Sequence, residues 1–346
     1  VVRSHQAHVV SVLETLPEDI RSDFLTQAEF ALEGENHDAV KMAFIDALAQ
    51  CEQSSRIQFA AQAQAIIAGA RIRYDGALMD QAPDLEVISR TGIGCDNILV
   101  SEATRRGIAV CNAPEAPTLS TAEHTLTLML AVAKEIKRND RDLRRGEVSD
   151  FFNANKGLEM AGLQLGLVGL GRIGSRVAHF ARALDMRVLA LDPYLADDEM
   201  AALGVERAAD LAEVLSRADI VSLHAPLTAE TRHLIDAERL AQMKPGAILI
   251  NAARGGLVHE QALLAALERG HLHGAGLDAF DPEPPHPDNP LLHRDDVIAT
   301  PHIAPATLAG KERLWSMAMA QALQVLRGER PPHLVDPDVW ERRSGA

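Results

Sequence analysis

One stretch of the chain, from Leu163 to Asp192, constrains the fold more than any other part of the sequence. An apolar run predicts a strand, which leads into three closely spaced glycines. A segment with helical periodicity follows, then a second apolar run from Arg187 to Leu191, and the stretch ends on an acid. This order of strand, tight turn, helix and strand is typical of a dinucleotide-binding unit. The stretch therefore predicts a Rossmann-type domain.

Each glycine of this stretch has a distinct expected role. Gly169 permits the tight turn, Gly171 lets the backbone approach a pyrophosphate, and Gly174 lets the helix pack closely on the strand. The helix that begins beside Arg172 and Ile173 offers free N–H groups to the phosphates. The sequence therefore predicts a pyrophosphate site at the glycine turn and the start of this helix.

The acid at the end of the stretch bears on the choice of cofactor. Asp192 lies at the position of the acid that accepts a hydrogen bond from a ribose 2′-hydroxyl. A carboxylate there would repel a 2′-phosphate, and Pro193 and Tyr194 supply no cation to hold one. We therefore expect NAD rather than NADP.

Length, charge and composition exclude several classes of function. A chain of 346 residues is long enough for two domains. A net charge of −15 argues against nucleic acid or an anionic membrane as the main partner, and an aromatic content of 3% argues against a base-stacking surface. No apolar run approaches the length of a membrane span. We therefore expect an enzyme of small-molecule metabolism.

The cysteines and histidines give no sign of a disulfide framework or a metal site. The three cysteines, Cys51, Cys95 and Cys111, are too few and too scattered for either. His271 and His273 lack a third ligand at a sensible spacing. We therefore expect a reducing cytoplasm and no metal.

Predicted strands and helices alternate along most of the chain, which favours parallel sheets. A first strand is expected at 8–13, and the polar segment 18–56 is helix-like. One long helix is predicted from about 119 to 145, passing from one domain to the other. The remaining predicted strands are 64–69, 85–89, 108–111, 220–223, 247–250, 275–277 and 297–300; the remaining helices are 76–81, 97–106 and 307–327.

Polar residues recur where the later strands end, and ligands bind at the carboxyl ends of strands in open α/β sheets. His224, Ala225 and Pro226 follow one strand. The other three strands are followed by Asn251 to Arg254, by Asp278, and by Pro301 and His302.

The motifs at these strand ends resemble those of the D-isomer-specific 2-hydroxyacid dehydrogenases. The matching text includes RTGIGCDNI from Arg90, TAEHTL from Thr121, GLGRIG, and MKPGAILINAARGGLV from Met243. It also includes ADIVSLHAPLTAETRHLI, GAGLDAFDPEP and TPHIA, and the similarity extends over about residues 64–330. Many motifs in one order are far more specific than the glycine pattern alone.

This resemblance implies an α/β protein with two doubly wound parallel-sheet domains. A Rossmann NAD-binding domain, at 119–305, is expected to be inserted into a discontinuous, flavodoxin-like substrate domain made of 1–118 and 306–346. The family closes its cleft over cofactor and substrate, which excludes water from hydride transfer. A homodimer built through the cofactor domain is also expected from the resemblance.

The resemblance also assigns three catalytic residues. Arg254, in the NxxRG position, binds the carboxylate and the carbonyl oxygen of the substrate through its planar fork. His302 is the general acid and base, because an imidazole can give up and recover a proton near neutral pH. Glu283 pairs with that histidine, orients the ring and favours its protonated form.

Further contacts follow from the same match. The carboxylate of the substrate is expected to rest on backbone N–H groups of Ile93 and Gly94, and Arg90 could bind a phosphate or a second carboxylate. Thr121 lies along the cofactor cleft, and Asp278 faces the nicotinamide carboxamide. His224, Ala225 and Pro226 line that cleft.

The substrate stays open among small 2-hydroxy acids and their 2-keto acids. The chain resembles phosphoglycerate dehydrogenases from Arg90 to Ile98, but it has Gly69 where those enzymes often carry another arginine. Glyoxylate and hydroxypyruvate are therefore candidates beside 3-phosphoglycerate. The alternatives are a phosphite dehydrogenase-like enzyme and a non-catalytic NAD-sensing protein like the corepressors of the same fold.

Overall fold

The computed structural model describes residues 42–44, 63–70, 72–147 and 150–344. Its chain divides into two compact units. The discontinuous unit includes the described residues up to Pro117 and those from Leu308 onward, and the continuous unit is Thr118–Thr307. Which unit binds substrate and which binds NAD stays a prediction at this point. The strand expected at 8–13 lies outside the described residues.

The discontinuous unit contains a parallel sheet in the order β1-β2-β3-β4. Its strands are β1 (Met42–Phe44), β2 (Ala65–Ala68), β3 (Val87–Arg90) and β4 (Ala109–Cys111). Its helices are α1 (Gly76–Met79), α2 (Val100–Arg105), α11 (Leu308–Leu326) and α12 (Asp338–Ser344).

Alternate residues of the strands in this sheet enter two different cores. Ile66, Ile88 and Val110 belong to a cluster that includes residues of α1 and α2. Ala65, Ile67, Val87 and Ala109 belong to a second cluster, which includes Ala318, Met319 and Ala322 of α11. Because both faces are covered, the strands consist of almost uninterrupted apolar residues.

The prediction for residues 18–56 is wrong where the structure describes them. Met42–Phe44 form a strand, although the surrounding polar sequence favours a helix. The strand pairs in parallel with β2, from Met42 opposite Ala65 to Phe44 opposite Ile67. Pairing with a buried neighbour outweighs a weak local preference.

The continuous unit contains a seven-stranded parallel sheet in the order β7-β6-β5-β8-β9-β10-β11. The order reverses between β5 and β8, which makes their carboxyl ends a topological switch point. The strands are β5 (Gln164–Val168), β6 (Arg187–Leu191), β7 (Glu206–Arg207), β8 (Ile220–Leu223), β9 (Ala247–Asn251), β10 (Leu272–Leu277) and β11 (Val297–Ala299).

Helices cover both faces of the larger sheet. The helices of this unit are α3 (Thr118–Ala133), α4 (Ile136–Arg145), α5 (Phe151–Ala154), α6 (Arg172–Ala183), α7 (Asp197–Ala202), α8 (Leu211–Arg217), α9 (Ala237–Gln242) and α10 (Glu260–Glu268), and α4 buries none of its residues. Short 3-10 turns occur at Gly255–Leu257 and Pro290–His293. Two apolar cores lie on the opposite faces: Ile248 and Ile250 of β9 belong to one, and Leu249 belongs to the other. The predicted α/β class with parallel sheets is confirmed.

The single long helix predicted over 119–145 is wrong, because two helices occupy this range. The helix breaks between α3 and α4, where Glu135 has a left-handed φ of 49°. There the carbonyl of Ala133 accepts a hydrogen bond from Leu158 N, and the Glu135 carboxylate accepts one from Lys156 N. Tertiary bonds to the returning chain therefore replace the helical continuation. Among the described residues, none of the helices is both long enough and apolar enough to span a bilayer.

Candidate active site

Two of the three glycines between β5 and α6 have no room for a side chain. Gly169 has a φ of 96°, and a Cβ there would lie 2.8 Å from the carbonyl oxygen of His224. A Cβ on Gly174 would lie 2.4 Å from the carbonyl oxygen of Gly169. The strand, the turn and the first turn of the helix are therefore packed backbone against backbone.

Gly171 is different, because a Cβ added there would meet no atom within 4 Å. It is the N-cap of α6, where it provides no side chain to bond the first N–H groups of the helix. Arg172 is exposed and Ile173 is partly exposed at the start of this helix. The open space and the uncapped N-terminus fit a pyrophosphate, as the sequence predicts.

Asp192 bridges the glycine turn and the end of β6. Its Oδ2 accepts a hydrogen bond from Leu170 N at 2.7 Å, and its Oδ1 accepts one from Tyr194 N at 2.9 Å. A carboxylate oxygen can accept more than one hydrogen bond, so a ribose hydroxyl remains a possible additional donor. The carboxylate is thus held beside the turn before any nucleotide binds.

His224 lies next to the same glycine turn, at the end of β8. Its backbone N–H bonds the carbonyl of Val168 at 2.8 Å, and its Nε2 lies 2.9 Å from Ser222 Oγ. Part of the residue is accessible, yet burial of the imidazole lowers its pKa to about 4. The ring is therefore neutral at neutral pH. Ala225 and Pro226 continue the loop, and Thr231 Oγ1 donates to the carbonyl of Pro226.

The next three strand ends lie side by side in the sheet. Leu277 pairs with Asn251 on one side and with Ala299 on the other. Arg254, Asp278 and His302 follow these strands within three residues of their ends. The larger sheet therefore presents all three at the same edge.

Arg254 lies in a turn that β9 and β10 hold together. Asn251 Nδ2 donates to the carbonyl of Arg254 at 2.8 Å, and Arg254 Nη1 donates to the carbonyl of Ala253 at 2.8 Å. A Cβ on the next residue, Gly255, would lie 2.0 Å from the backbone of Phe280. The turn is therefore packed against the chain that leads to Glu283.

The structure brings Glu283 and His302 into direct contact. His302 Nδ1 lies 2.9 Å from both carboxylate oxygens of Glu283. The side chain of His302 is 31% exposed and that of Glu283 is 39% exposed, so the pair is open to solvent or to a ligand. Because Nδ1 faces a carboxylate, it is the nitrogen that keeps its proton, and Nε2 is left to exchange one.

The loop that carries Glu283 is tied down at both ends by Glu260. Oε1 of Glu260 accepts from Asp281 N at 2.9 Å, and Oε2 accepts from Asn289 Nδ2 at 2.7 Å. Asp281 also pairs with Arg232 at 2.8 Å. The contacts of Glu260 and Arg232 thus fix the position of the proline-rich loop that carries Glu283.

His302 has a φ of 56°, a left-handed conformation that is uncommon for a residue with a side chain. This backbone conformation costs on the order of 1–3 kcal/mol of free energy, and it persists only where surrounding contacts hold the residue. Asp278 supplies that support: its Oδ1 accepts from Ile303 N and its Oδ2 from Ala304 N, both at 2.9 Å.

Asp278 also has side-chain partners, which sequence reasoning did not anticipate. Thr300 Oγ1 donates to Asp278 Oδ1 at 2.6 Å, and His124 Nε2 lies 3.4 Å from the same oxygen. Burial alone would raise the pKa of Asp278, but the hydrogen bonds from His124, Thr300 and the two amides hold it below its usual range. TAEHTL and TPHIA contain His124 and Thr300, but neither motif shows that they meet.

The predicted substrate loop lies in the discontinuous unit, after β3. Arg90 Nη1 donates to the carbonyls of Thr91 at 2.9 Å and Ala68 at 3.3 Å. Asn112 Nδ2 donates to the carbonyl of Ile93 at 2.9 Å, next to Gly94. These bonds give Arg90 a role in shaping the loop, beside its predicted role in binding.

Two further observations complete the comparison with the predicted residues. Thr121 is buried in the first turns of α3, where its carbonyl accepts from Thr125 Oγ1. Within the ranges that the structure describes, no cluster of three or more histidine, cysteine or acidic side chains could hold a metal ion.

Comparison with known proteins gives an independent assignment. A sequence model described as the D-isomer specific 2-hydroxyacid dehydrogenase, NAD binding domain, matches residues 126–304. The matched range lies within the continuous unit and contains the glycine turn, Asp192, Arg254, Glu283 and His302.

Several individual proteins are similar to this chain over most of its length. D-3-phosphoglycerate dehydrogenase of Methanocaldococcus jannaschii is 42% identical over 80% of this chain and 52% of its own, so the chain spans about half the length of that relative. Glyoxylate reductase of Thermofilum pendens is 42% identical over 78% of this chain and 80% of its own. The structure of D-lactate dehydrogenase from Aquifex aeolicus with NAD and lactic acid has a TM-score of 0.71 at 33% identity, over 79% of this chain and 86% of that one.

Proposed function

Because the chain belongs to the D-isomer-specific 2-hydroxyacid dehydrogenase family, we propose that it interconverts a small D-2-hydroxy acid and its 2-keto acid with NAD(H). The observation that carries this proposal is the contact of His302 Nδ1 with the Glu283 carboxylate. It prepares an imidazole for proton exchange beside the strand ends where a ligand is expected.

The proposed proton route uses Nε2 of His302. Bound NADH supplies the hydride to the carbonyl carbon. His302 starts reduction as the imidazolium and gives its Nε2 proton to the oxygen of the new alkoxide, while the proton on Nδ1 stays on that nitrogen, hydrogen-bonded to Glu283. In the oxidative direction, the neutral ring takes the proton back from the hydroxyl group. Glu283 stabilises the charged ring and fixes its orientation.

Arg254 is proposed to bind the substrate. A guanidinium can hold a carboxylate and polarise a neighbouring carbonyl oxygen, which makes the carbon a better hydride acceptor. Support comes from its position after β9, one strand away from the end of β10. Ile93 and Gly94 are proposed to donate backbone N–H groups to the substrate carboxylate, and Arg90 to bind a further anionic group.

NAD is the nucleotide of the matched family model, and the preference over NADP is part of the proposal. Gly169, Gly171, Arg172, Ile173 and Gly174 are proposed to surround its pyrophosphate, and Asp192 its ribose. The carboxylate supports NAD, because it would repel a 2′-phosphate. Thr121, Asp278, His224, Ala225 and Pro226 are proposed as further contacts of the cofactor.

The names of the relatives support two of the candidate classes of substrate. Some are named D-3-phosphoglycerate dehydrogenase and others glyoxylate reductase, at similar identity. We therefore propose glyoxylate, hydroxypyruvate and the 3-phosphoglycerate pair as candidates. A homodimer is a further proposal, which rests on the family resemblance. A cytoplasmic location is also proposed, because the three cysteines of the sequence are too few and too scattered for a disulfide framework.

The test is NADH oxidation by the purified chain with a panel of 2-keto acids: glyoxylate, hydroxypyruvate, 3-phosphohydroxypyruvate and pyruvate. We expect turnover with at least one of them and faster reaction with NADH than with NADPH. The control is the H302N variant, which should bind NADH and not turn over. NADH binding by the wild-type chain without turnover of any acid would contradict the proposal and favour an NAD-sensing binding protein.

A further inference from the structure

We infer that His124 is a positioning residue for His302, acting through Thr300 and Asp278. The inference rests on the proposed function, because it assumes that His302 transfers the proton. His124 lies on α3, far along the chain from the three catalytic candidates. Within the described part of the chain, His124 forms no hydrogen bond or ion pair with His302 or Glu283, so any influence on the reaction must pass through the residues between them.

The hydrogen atoms of this network can be assigned from its geometry. Thr300 has one hydroxyl proton, and the 2.6 Å distance to Asp278 Oδ1 directs that proton to the carboxylate. His124 Nε2 lies 3.0 Å from the same hydroxyl oxygen, which can then only accept. His124 Nε2 must therefore carry a proton, and it lies 3.4 Å from Asp278 Oδ1 as well.

The hydrogen bonds of this network hold the chain on both sides of His302. Thr300, two residues before it, is held by its side chain. Ile303 and Ala304, directly after it, are held by their backbone N–H groups. The residue between these attachments has a positive φ, a conformation that requires outside support. Asp278 thus sets where the imidazole of His302 lies.

His124 completes the hydrogen-bond shell of Asp278. The Asp278 side chain is 1% exposed, so water cannot replace a lost donor. The hydrogen bond from His124 helps to hold the pKa of this carboxyl below its usual range against the effect of burial. Without the imidazole of His124, Thr300 and Asp278 lose a shared hydrogen-bond donor, and the Thr300–Ala304 segment is free to shift. A misplacement of about 1 Å at a reacting group can cost about 100-fold in rate.

The experiment compares H124L, H124N and H124Q with the wild type. Leucine has a similar volume and no donor, the asparagine amide is too short to reach Thr300, and the glutamine amide can reach it. We expect kcat for 2-keto acid reduction to fall between about tenfold and 100-fold in H124L and H124N. H124Q should recover most of kcat. NADH affinity, from the fluorescence of bound NADH, should change by less than about threefold in all three variants.

A double-variant cycle tests the route through Thr300. Because H124L and T300V both remove the hydrogen bond between His124 and Thr300, the loss of kcat in the double variant should be clearly smaller than the product of the two single losses. Additive losses, or equal losses in H124Q and H124L, would overturn the inference. A kcat of H124L or H124N within twofold of wild type would overturn it too. If H124L does not fold, H124N against H124Q gives the same comparison.

The H302N variant separates this inference from the proposed function. If H302N keeps the kcat of the wild type, the proposed role of His302 fails and the inference fails with it. If H302N is inactive while H124L and H124N are fully active, the proposed function stands and only the role of His124 is lost.

Discussion

At the scale of single residues, Glu283 and His302 form a hydrogen-bonded pair that is only partly buried. His302 Nδ1 is equally close to both oxygens of Glu283, so the ring has little freedom to turn about its contact. A solvent-accessible pair still allows a substrate to reach Nε2. In the proposed mechanism, Glu283 controls the charge of the imidazole and contacts its Nδ1, while Asp278 holds the backbone on which the ring is carried.

Replacing Glu283 by glutamine tests that control. The glutamine amide is neutral and cannot stabilise a developing imidazolium as a carboxylate can. We expect the pH profile of kcat for 2-keto acid reduction to move to lower pH, with kcat at pH 8 reduced more than at pH 6. NADH affinity should be almost unchanged. A profile that superimposes on that of the wild type would remove Glu283 from the pair.

His224 makes a different prediction, about stability. Burial lowers its pKa to about 4 in the folded chain, against an ordinary value of about 6.5 in the unfolded one. Between these values the unfolded state binds more protons, so the free energy of unfolding falls as the pH is lowered from 6.5 to 4. The contribution is on the order of 2–3 kcal/mol and is complete above pH 6.5.

The measurement for His224 is urea unfolding between pH 7.5 and pH 4.5, for the wild type and for H224Q. Glutamine does not titrate, so the stability of the variant should depend less steeply on pH by up to about 1.4 kcal/mol per pH unit. The difference between the two chains removes the contributions of the other histidines. Parallel pH dependences would show that His224 takes up its proton equally well in the folded chain.

Single residues also show what a sequence can and cannot predict. The contact of Glu283 with His302 could be anticipated, because both residues belong to motifs that match one family; their catalytic roles stay predictions. The network of His124, Thr300 and Asp278 could not, because it depends on how α3 packs beside β10 and β11. That packing is a tertiary property with no local signature.

At the scale of elements, two glycines of the turn between β5 and α6 have different surroundings. Gly174 has no room for a Cβ, whereas a Cβ on Gly171 would point into open space. Gly171 also has an ordinary negative φ of −69°, which alanine can adopt. We therefore expect the two glycines to have different roles. Gly174 is needed for close packing, and Gly171 leaves space for a ligand.

Alanine variants of these two glycines should behave differently. G171A should lower the thermal midpoint of the wild type by no more than about 4 °C, because alanine fits the space and the φ of Gly171 but is a poorer N-cap than glycine, at a cost of about 1 kcal/mol. Its NADH Kd should rise at least about tenfold, because the methyl group occupies the space expected for the pyrophosphate. G174A should lower the thermal midpoint as well, because strand and helix must move apart. Normal NADH binding by G171A would contradict the predicted cofactor position.

Element boundaries followed from the sequence where local signals were strong. The strand β6 begins and ends at the residues expected from its apolar run. The break between α3 and α4 was missed because the periodicity continues through Glu135, while the bonds of Ala133 and Glu135 to residues 156–158 end the helix. Such bonds join parts of the chain that no local pattern relates.

At the scale of the whole molecule, each unit has apolar cores of its own. The continuous unit contains two large clusters, one on each face of its seven-stranded sheet. The discontinuous unit contains its own clusters, formed from strand residues and from α11. A core that draws on one unit alone favours independent folding of that unit.

The isolated fragment 118–307 tests this independence. We expect it to fold cooperatively, with the far-ultraviolet circular dichroism of an α/β protein, because its cores draw on no residue outside it. It should bind NADH, since Gly171 and Asp192 are included, but it should not reduce 2-keto acids without the loop of Arg90 and Gly94. A fragment that aggregates, or that turns over substrate by itself, would contradict one of these expectations.

The end of the described chain has a consequence for solubility. β4 is the outer strand of its sheet, and Leu334 forms an antiparallel bridge with Cys111 while Val335 N bonds the carbonyl of Val110. The segment from His333 to Val335 therefore occupies backbone groups that would otherwise be open to a strand from another molecule. A chain that lost this segment would present an apolar, unpaired β-edge, and it would aggregate by strand addition even if both units still folded.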